Sequence, residues 1–434
     1  MKKLGIMLMS FVLVFSLAAC GGSSGGSTPA NNAGGEASGS GGQKQVTLNM
    51  WLFTGTGLEP LVDQYMKENP HVKVNIQAQE YADHHNGLVT ALAAGSGAPD
   101  ISLVEIGYLD RFKAEENNFH NLADLGANDI MGNYLDWKVV QASSQDGSFI
   151  FGLPTDVGPM AMMYRTDIFE QAGLPTDPAA LQEKIKSWED FITVGKTIKA
   201  ETGKPMVDSI LSVFDVVKGQ KNEHYFDSKG ELIAGTNPEM KKAYDFAVRV
   251  AKEGLSANIA QWTPEWGAGM NNGDFAVMLS PAWMMGFMKG NAPDSAGKWN
   301  VIQMPEGSGN WGGSFLTLPK QGKNTEEAYK LISWLLSPEM QLENFKANGN
   351  FPSTPSIYDS EAIQTFSDPF FSDAPVGKIY AEAAQKVVPV YYGPSYVIAN
   401  TPITNALGEV QNNNADPEAM WKDAITQIER ELRR

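Results

Sequence analysis

The aromatic and acidic residues of this chain fall where they could build a binding surface. Five of its 10 tryptophans, Trp262, Trp266, Trp283, Trp299 and Trp311, are grouped in one region rich in glycine, proline and asparagine, and all but Trp299 fall in stretches that read as loops or strand ends. Trp51, Glu80 with Tyr81, and Glu105 each stand at the end of a segment with strand character. Asp156 follows Pro154-Thr155, just ahead of a long uncharged run. Indole and phenol rings offer flat apolar faces, and carboxylates accept hydrogen bonds from hydroxyl groups. Together they suit a ligand with apolar faces and many hydroxyls. Any single tryptophan could equally fill a core, so it is the grouping with acids that carries weight.

Other chemistries find less support. The 5 histidines are scattered, with no zinc-like pairing to cysteine and no HExxH spacing. Asp227-Ser228-Lys229-Gly230 lacks the Asp/Asn alternation of a calcium loop. No metal and no cofactor is expected. The formal net charge is -17, from 50 acidic and 33 basic residues. That excludes nucleic acid and anionic membrane as the main partner, because a polyphosphate calls for a basic surface.

The elements that must position these residues can be read from periodicity. Residues 46–51 alternate and predict a first strand, 58–69 an amphipathic helix, 71–78 a second strand, 82–94 a second helix, and 101–104 a third strand. This β-α-β-α-β order predicts an open α/β sheet, whose ligands bind beyond the carboxyl ends of the strands. Trp51, Glu80, Tyr81 and Glu105 would then lie in the loops after the strands. Asp100, after Ala98-Pro99, reads instead as the organiser of the turn into the third strand. At 152–175 the chain reads GLPTDVGPMAMMYRTDIFEQAGLP. The uncharged run 157–164 predicts a strand buried on both faces, and a short helix follows, stopped by Gly173 and Pro175. Helices are also predicted over 188–203, 238–253, 323–336 and 417–434. A length of 434 residues favours two domains over one.

The single cysteine rules out an internal disulfide. Lys2 and Lys3 precede an apolar run, 4–17, that is short for a membrane span. It ends in Leu17-Ala18-Ala19-Cys20 before Gly21-Gly22, a pattern that resembles the bacterial lipobox. Residues 1–20 are expected to be a lipoprotein signal peptide, with a diacylglycerol on Cys20. Residues 21–45, nearly all Gly, Ser, Ala, Asn and Thr, are expected to form a flexible tether. The expected result is a body held by its lipid on the outer face of the cell membrane, at a Gram-positive surface in preference to a periplasm.

Several segments, taken in order, resemble the family 1 extracellular solute-binding proteins of ABC transporters, the maltose-binding-like group. Met163-Tyr164-Arg165-Thr166-Asp167-Ile168-Phe169 is similar to that family's Tyr-Asn-Lys-Asp-Leu-Phe element, and Trp188-Glu189-Asp190-Phe191 to its Trp-Asp-Glu-Phe helix start. Gly273 to Met278 followed by Pro281-Ala282-Trp283 resembles its Ala-Ala-Met … Gly-x-Trp block, with Ser280 where glycine is frequent. Gly312-Gly313-Ser314 to Lys320, and Ser337-Pro338-Glu339, resemble its return segment. The resemblance implies an α/β, two-lobed periplasmic-binding-protein-like fold (type II), with open sheets, flanking helices and a hinge of three crossings. It puts 46–155 with 311–355 in lobe one, and 156–310 with 356–434 in lobe two. It implies a monomer that is not an enzyme and that binds a carbohydrate, an oligosaccharide by its aromatic inventory. Hinge closure would present the loaded form to a permease powered by a separate ATPase, and indeed no GxxxxGK[ST] occurs here. Trp283 matches the position that stacks on sugar, and Tyr396 a late aromatic platform; Asp156 would lie at the cleft floor. Two rival functions are a non-sugar solute such as a phosphorylated polyol, for which the loops hold few cations, and glycoside hydrolysis, for which no carboxylate pair stands out.

Overall fold

The computed structural model of the protein describes residues 44–433 apart from Gln145. The expected signal peptide, Cys20 and most of the expected tether lie outside the described residues. Among the described residues eight strands form: β1 (Val46–Phe53), β2 (Val72–Gln79), β3 (Ile101–Glu105), β4 (Gly152–Pro154), β5 (Met160–Arg165), β6 (Val277–Pro281), β7 (Trp299–Gln303) and β8 (Ser314–Thr317). They make a five-stranded sheet, in order β2-β1-β3-β8-β4, and a three-stranded sheet, β6-β5-β7. The predicted β-α-β-α-β run is the parallel half of the first sheet, with helices Glu59–Glu68 and Tyr81–Ala93 as crossovers. β8 returns from far along the chain and pairs antiparallel with both β3 and β4. The second sheet is antiparallel throughout.

Hydropathy explains both. Leu48, Met50 and Leu52 alternate along β1 and are buried in the core of the first sheet. All six residues of β5 are buried. Met160, Met162 and Tyr164 face one core, with Phe191 and Phe214, while Ala161 and Met163 face another, with Trp299 and Phe351. Its first five residues are uncharged, which lets both faces pack, and Arg165 at its end is buried against Asp167, with Nη2 2.6 Å from Oδ2. The chain then leaves β5 through helix Thr166–Gln171 and turns at Gly173, whose φ of 68° is left-handed. Helix Trp188–Thr202 opens on a Ser187/Asp190 capping box and ends at a left-handed Gly203. Asp100 organises its turn: its carboxylate accepts from the backbone N–H of Asn49 at 2.8 Å and of Lys323 at 2.8 Å.

Between the sheets, three segments run side by side. Thr155 N donates to Ser314 O at 2.9 Å, Val157 N to Phe351 O at 2.9 Å, and Trp311 N to Gly158 O at 2.9 Å. Gln341 Nε2 and Ser353 Oγ both donate to the Pro154 carbonyl at 3.2 Å. The crossing is tight enough to require glycine: a Cβ on Gly158 would lie 1.8 Å from the Trp311 carbonyl oxygen. Helix Pro338–Asn348 is shared between cores, with Met340 in that of the first sheet and Phe345 packed beside Ala161 and Met163.

Candidate binding site at the junction of the two sheets

Glu105 ends β3 and caps helix Ile106–Lys113. Its Oε2 accepts from Gly107 N at 2.7 Å and from the Tyr81 hydroxyl at 2.7 Å. An extended residue followed by a helix start turns the side chain back onto the first amides, which is why an acid after a strand can serve as its own cap. Tyr396 begins helix Tyr396–Asn413 and approaches the same place from the other core. A Cβ on Gly107 would stand 3.6 Å from both the Tyr81 hydroxyl and Tyr396 Cδ1. Likewise a Cβ on Gly312 would stand 3.4 Å from Trp283 Nε1 and 3.8 Å from Glu105 Oε1. Missing side chains at 107 and 312 thus leave Tyr81, Glu105, Tyr396 and Trp283 facing one another.

The aromatic side of this junction is built from the second sheet. Trp283 follows β6, and its Nε1 donates to the Trp311 carbonyl at 3.0 Å. Its ring lies 5.7 Å from that of Trp311, edge-on at 74°, and 6.1 Å from that of Trp262, nearly parallel at 20°. Trp262 and Tyr81 are exposed, while Trp283, Trp311 and Tyr396 are half-buried.

Of the charges here Lys138 is fully buried, while Glu105 and Asp156 are half-buried. Burial pushes the Glu105 carboxyl up to about 7, although the Tyr81 hydroxyl, the Gly107 amide and the nearby Lys138 ammonium all pull the other way. Burial also raises Asp156, which the Thr155 hydroxyl at 2.6 Å, Lys138 and the Ser314 amide at 3.1 Å partly offset. Lys138 is buried on helix Asp136–Ala142, with Nζ 3.9 Å from the Phe315 ring centre. Burial lowers it to about 8 in spite of Asp156 and Glu105.

The structure brings together Tyr81, Glu105, Asp156, Trp262, Trp283, Trp311 and Tyr396 and leaves out three residues of the expected set. Trp51 is not in a loop. β1 continues to Phe53, and Trp51 lies within the strand, over a separate hollow lined by Asn49, Gln77, Ala98 and Pro99. Trp266 is fully buried with its Nε1 bonded to Asp208 Oδ2 at 2.9 Å, so its ring is part of the core. Glu80 is exposed at the start of helix Tyr81–Ala93, without a side-chain capping bond. Asp156 is at the junction, but one of its oxygens already ties Thr155 to β8.

Two buried lysines were not expected. Lys138 follows Trp137 in a mixed segment whose spacing gives no sign of burial. Lys218 Nζ reaches Asp215 Oδ1 at 2.8 Å, Asn400 Oδ1 at 3.1 Å and the hydroxyls of Tyr396 at 3.2 Å and Tyr225 at 3.3 Å. Its signal was legible: Asp215 and Lys218 are the only charges in the apolar helix Ile210–Gly219, three residues apart. Among the described residues, no group of three or more His, Cys, Asp or Glu side chains is placed to hold a metal ion.

Residues 60–370 match the bacterial extracellular solute-binding protein family. The chain belongs to that family. This solute-binding protein is 28% identical to the arabinooligosaccharide-binding protein of Halalkalibacterium halodurans, over 88% of each chain. It is 34% identical to a solved extracellular solute-binding protein family 1 structure, at a TM-score of 0.80, covering 89% of this chain and 99% of that one. A binding protein of B. animalis subsp. lactis, solved with beta-1,6-galactobiose, shares the fold at 23% identity and a TM-score of 0.77, over 90% of this chain and 98% of that one. The fold is the two-lobed α/β arrangement of these proteins. Its relatives are binding proteins.

Proposed function

We propose that this solute-binding protein captures an oligosaccharide between its lobes and delivers it to the permease of an ABC importer. The observation that carries the reading is the convergence of Trp262, Trp283, Trp311, Tyr81 and Tyr396 with the Glu105 carboxyl at one junction. Pyranose and furanose rings present C–H faces that stack on indoles, and their hydroxyls need fixed acceptors and donors. The names of the relatives, an arabinooligosaccharide binder and a galactobiose complex, agree with it. A phosphorylated ligand finds less support, because Lys218 is bonded to four partners and Lys138 is shut away under Phe315.

In this reading lobe one comprises 46–155 and 311–355, and lobe two 156–310 and 356–434, with helix Pro338–Asn348 near the border. The protein acts as a monomer, without catalysis, held outside the cell by a diacylglycerol on Cys20. Replacing Cys20 by Ala should release it from the membrane fraction. The central test is a thermal-shift screen against an oligosaccharide panel with a reducing-end assay alongside. A raised Tm without released ends supports capture; released ends with turnover would make Glu105 and Asp156 candidates for a hydrolase instead.

A further inference from the structure

Trp262 is unusual in two respects. It is 55% exposed, and its backbone is left-handed, at φ 65°. Bulky residues adopt that conformation only at a cost, which a glycine in the same turn would avoid. The other left-handed residue of the loop is Asn258, a type that tolerates the region. The ring lies edge-on to Trp266 at 5.1 Å and to Phe287 at 5.2 Å, as well as nearly parallel to Trp283.

Behind this loop lies Asp208, 1% exposed, two residues before helix Ile210–Gly219. Its Oδ2 accepts from Gln261 Nε2 and from Trp266 Nε1, each at 2.9 Å. Its Oδ1 accepts from Ser209 N and from Ser212 Oγ, each at 2.7 Å. The Asp208 carbonyl also accepts from Ile259 N at 3.0 Å. One side chain therefore grips the residue just before Trp262 and, through Trp266, the helix Pro264–Asn272 just after it. All these donors are neutral, so the carboxylate is held by hydrogen bonds alone.

We propose that Asp208 is a positioning residue that fixes Trp262 as an outer stacking platform, one ring further along the ligand than Trp283. The proposal rests on the oligosaccharide reading and adds to it that ligand length is sensed at Trp262. A ligand short enough to lie on Trp283 alone would not feel this platform. Asn at 208 cannot hold the loop in the same way. An amide has one acceptor atom: with its NH₂ towards the loop the Trp266 indole N–H loses its acceptor, and with its NH₂ towards the helix the Ser209 amide does, while the Gln261 amide and the Ser212 hydroxyl can reverse their roles.

The test uses the full chain with D208N, Q261A, W262A and W283A, titrated with arabino-oligosaccharides of two to six units and with beta-1,6-galactobiose. The parent should bind longer ligands more tightly. D208N, Q261A and W262A should weaken the longer ligands at least fivefold and the disaccharides less than twofold, whereas W283A should weaken all. The near-ultraviolet circular dichroism, sensitive to coupled indoles, should lose the same band in D208N and Q261A as in W262A. Equal loss at every length, or a D208N protein with the parent's length dependence and spectrum, overturns the proposal. If D208N does not fold, W266F, which removes the indole donor and keeps an aromatic ring in its place, is used instead with the same two outcomes. A parent that binds no member of either series refutes the oligosaccharide reading and the stacking role with it; the spectra still decide separately whether Asp208 fixes Trp262.

Discussion

The two flanks of the junction are built on opposite principles. On the side of the first sheet, Tyr81, Glu105 and the Gly107 amide form a chain of hydrogen bonds of 2.7 Å each, with Lys138 buried and Asp156 half-buried nearby. On the side of the second sheet, Trp262, Trp283 and Trp311 are held by ring contacts, and Trp283 by one hydrogen bond to a carbonyl. Hydrogen bonds are directional and lose most when a buried partner is left alone. Stacking scales with area and tolerates small displacements. The acid flank is therefore suited to select orientation and the aromatic flank to supply affinity. What couples them is backbone: the crossing at Gly158 and Gly312, where both flanks approach within a side chain's width.

The strongest way to break that coupling is Gly158→Ala. Its Cβ would meet the Trp311 carbonyl at 1.8 Å and Trp283 Nε1 at 3.2 Å, so backbone must move on both sides. Overpacking of this kind costs about 3 kcal/mol or more. Both the Tm in the absence of ligand and the affinity should fall; a variant that melts with the parent and binds as well would show that the crossing is not tight. Next in size, Trp283→Ala should leave the fold intact and weaken binding at least about tenfold, or ~1.4 kcal/mol. Calorimetric titration giving an unchanged Kd would remove Trp283 from the site.

The acid flank is probed by pH. Glu105 titrates near 7 in the folded protein, above the ordinary carboxyl value, so the folded state keeps a proton that the unfolded state has released. Stability should therefore fall as pH rises from about 4.5 through 7, the interval between the two values, and level off above it. Lys138, lowered to about 8, acts in a different window, costing stability as pH falls from the usual lysine range towards 8. Glu105→Gln should flatten the slope of Tm below pH 7 and, by removing one of the two carboxylates that hold Lys138 up, deepen the loss on the alkaline limb. Parallel parent and variant curves would mean that Glu105 is not the group responsible.

How much of this was legible in the sequence depended on whether the signal was local. Period-two alternation gave β1 and β2, and the uncharged run gave β5 with both its faces, because side-chain direction follows from strand geometry. Gly203 marked the end of helix Trp188–Thr202 by an equally local signal, since glycine readily takes the left-handed conformation that stops a helix. Local pattern does not report which side chains meet across the fold. The pairing of β8 between β3 and β4 is a contact between distant segments, accessible only through family resemblance. Burial of Lys138 is likewise set by Phe315 on β8, which no window around Lys138 contains. Trp266 and Trp262 look alike in sequence, four residues apart. In the structure one is fully buried against Asp208 and the other is 55% exposed, a difference decided by the left-handed turn at 262.

Trp51 gives the smallest effect and the sharpest control on the comparison. By chain position it matched Glu105, an aromatic near the carboxyl end of a strand that borders the junction. Two more residues of strand, Leu52 and Phe53, decide otherwise. Register pairs Trp51 with Gln77 on β2 and Ser102 on β3, which sets its ring back from the strand ends. It is Phe53 that contacts Tyr81, edge-on at 5.6 Å. Trp51→Ala should therefore change ligand affinity less than about threefold, under ~0.7 kcal/mol, with a modest loss of Tm from the half-buried indole. Phe53→Ala, which removes support from Tyr81, should weaken binding more than Trp51→Ala does. If the order is reversed, the ligand extends into the hollow beside Ala98 and Pro99, and the site reaches further along the first sheet than the junction alone.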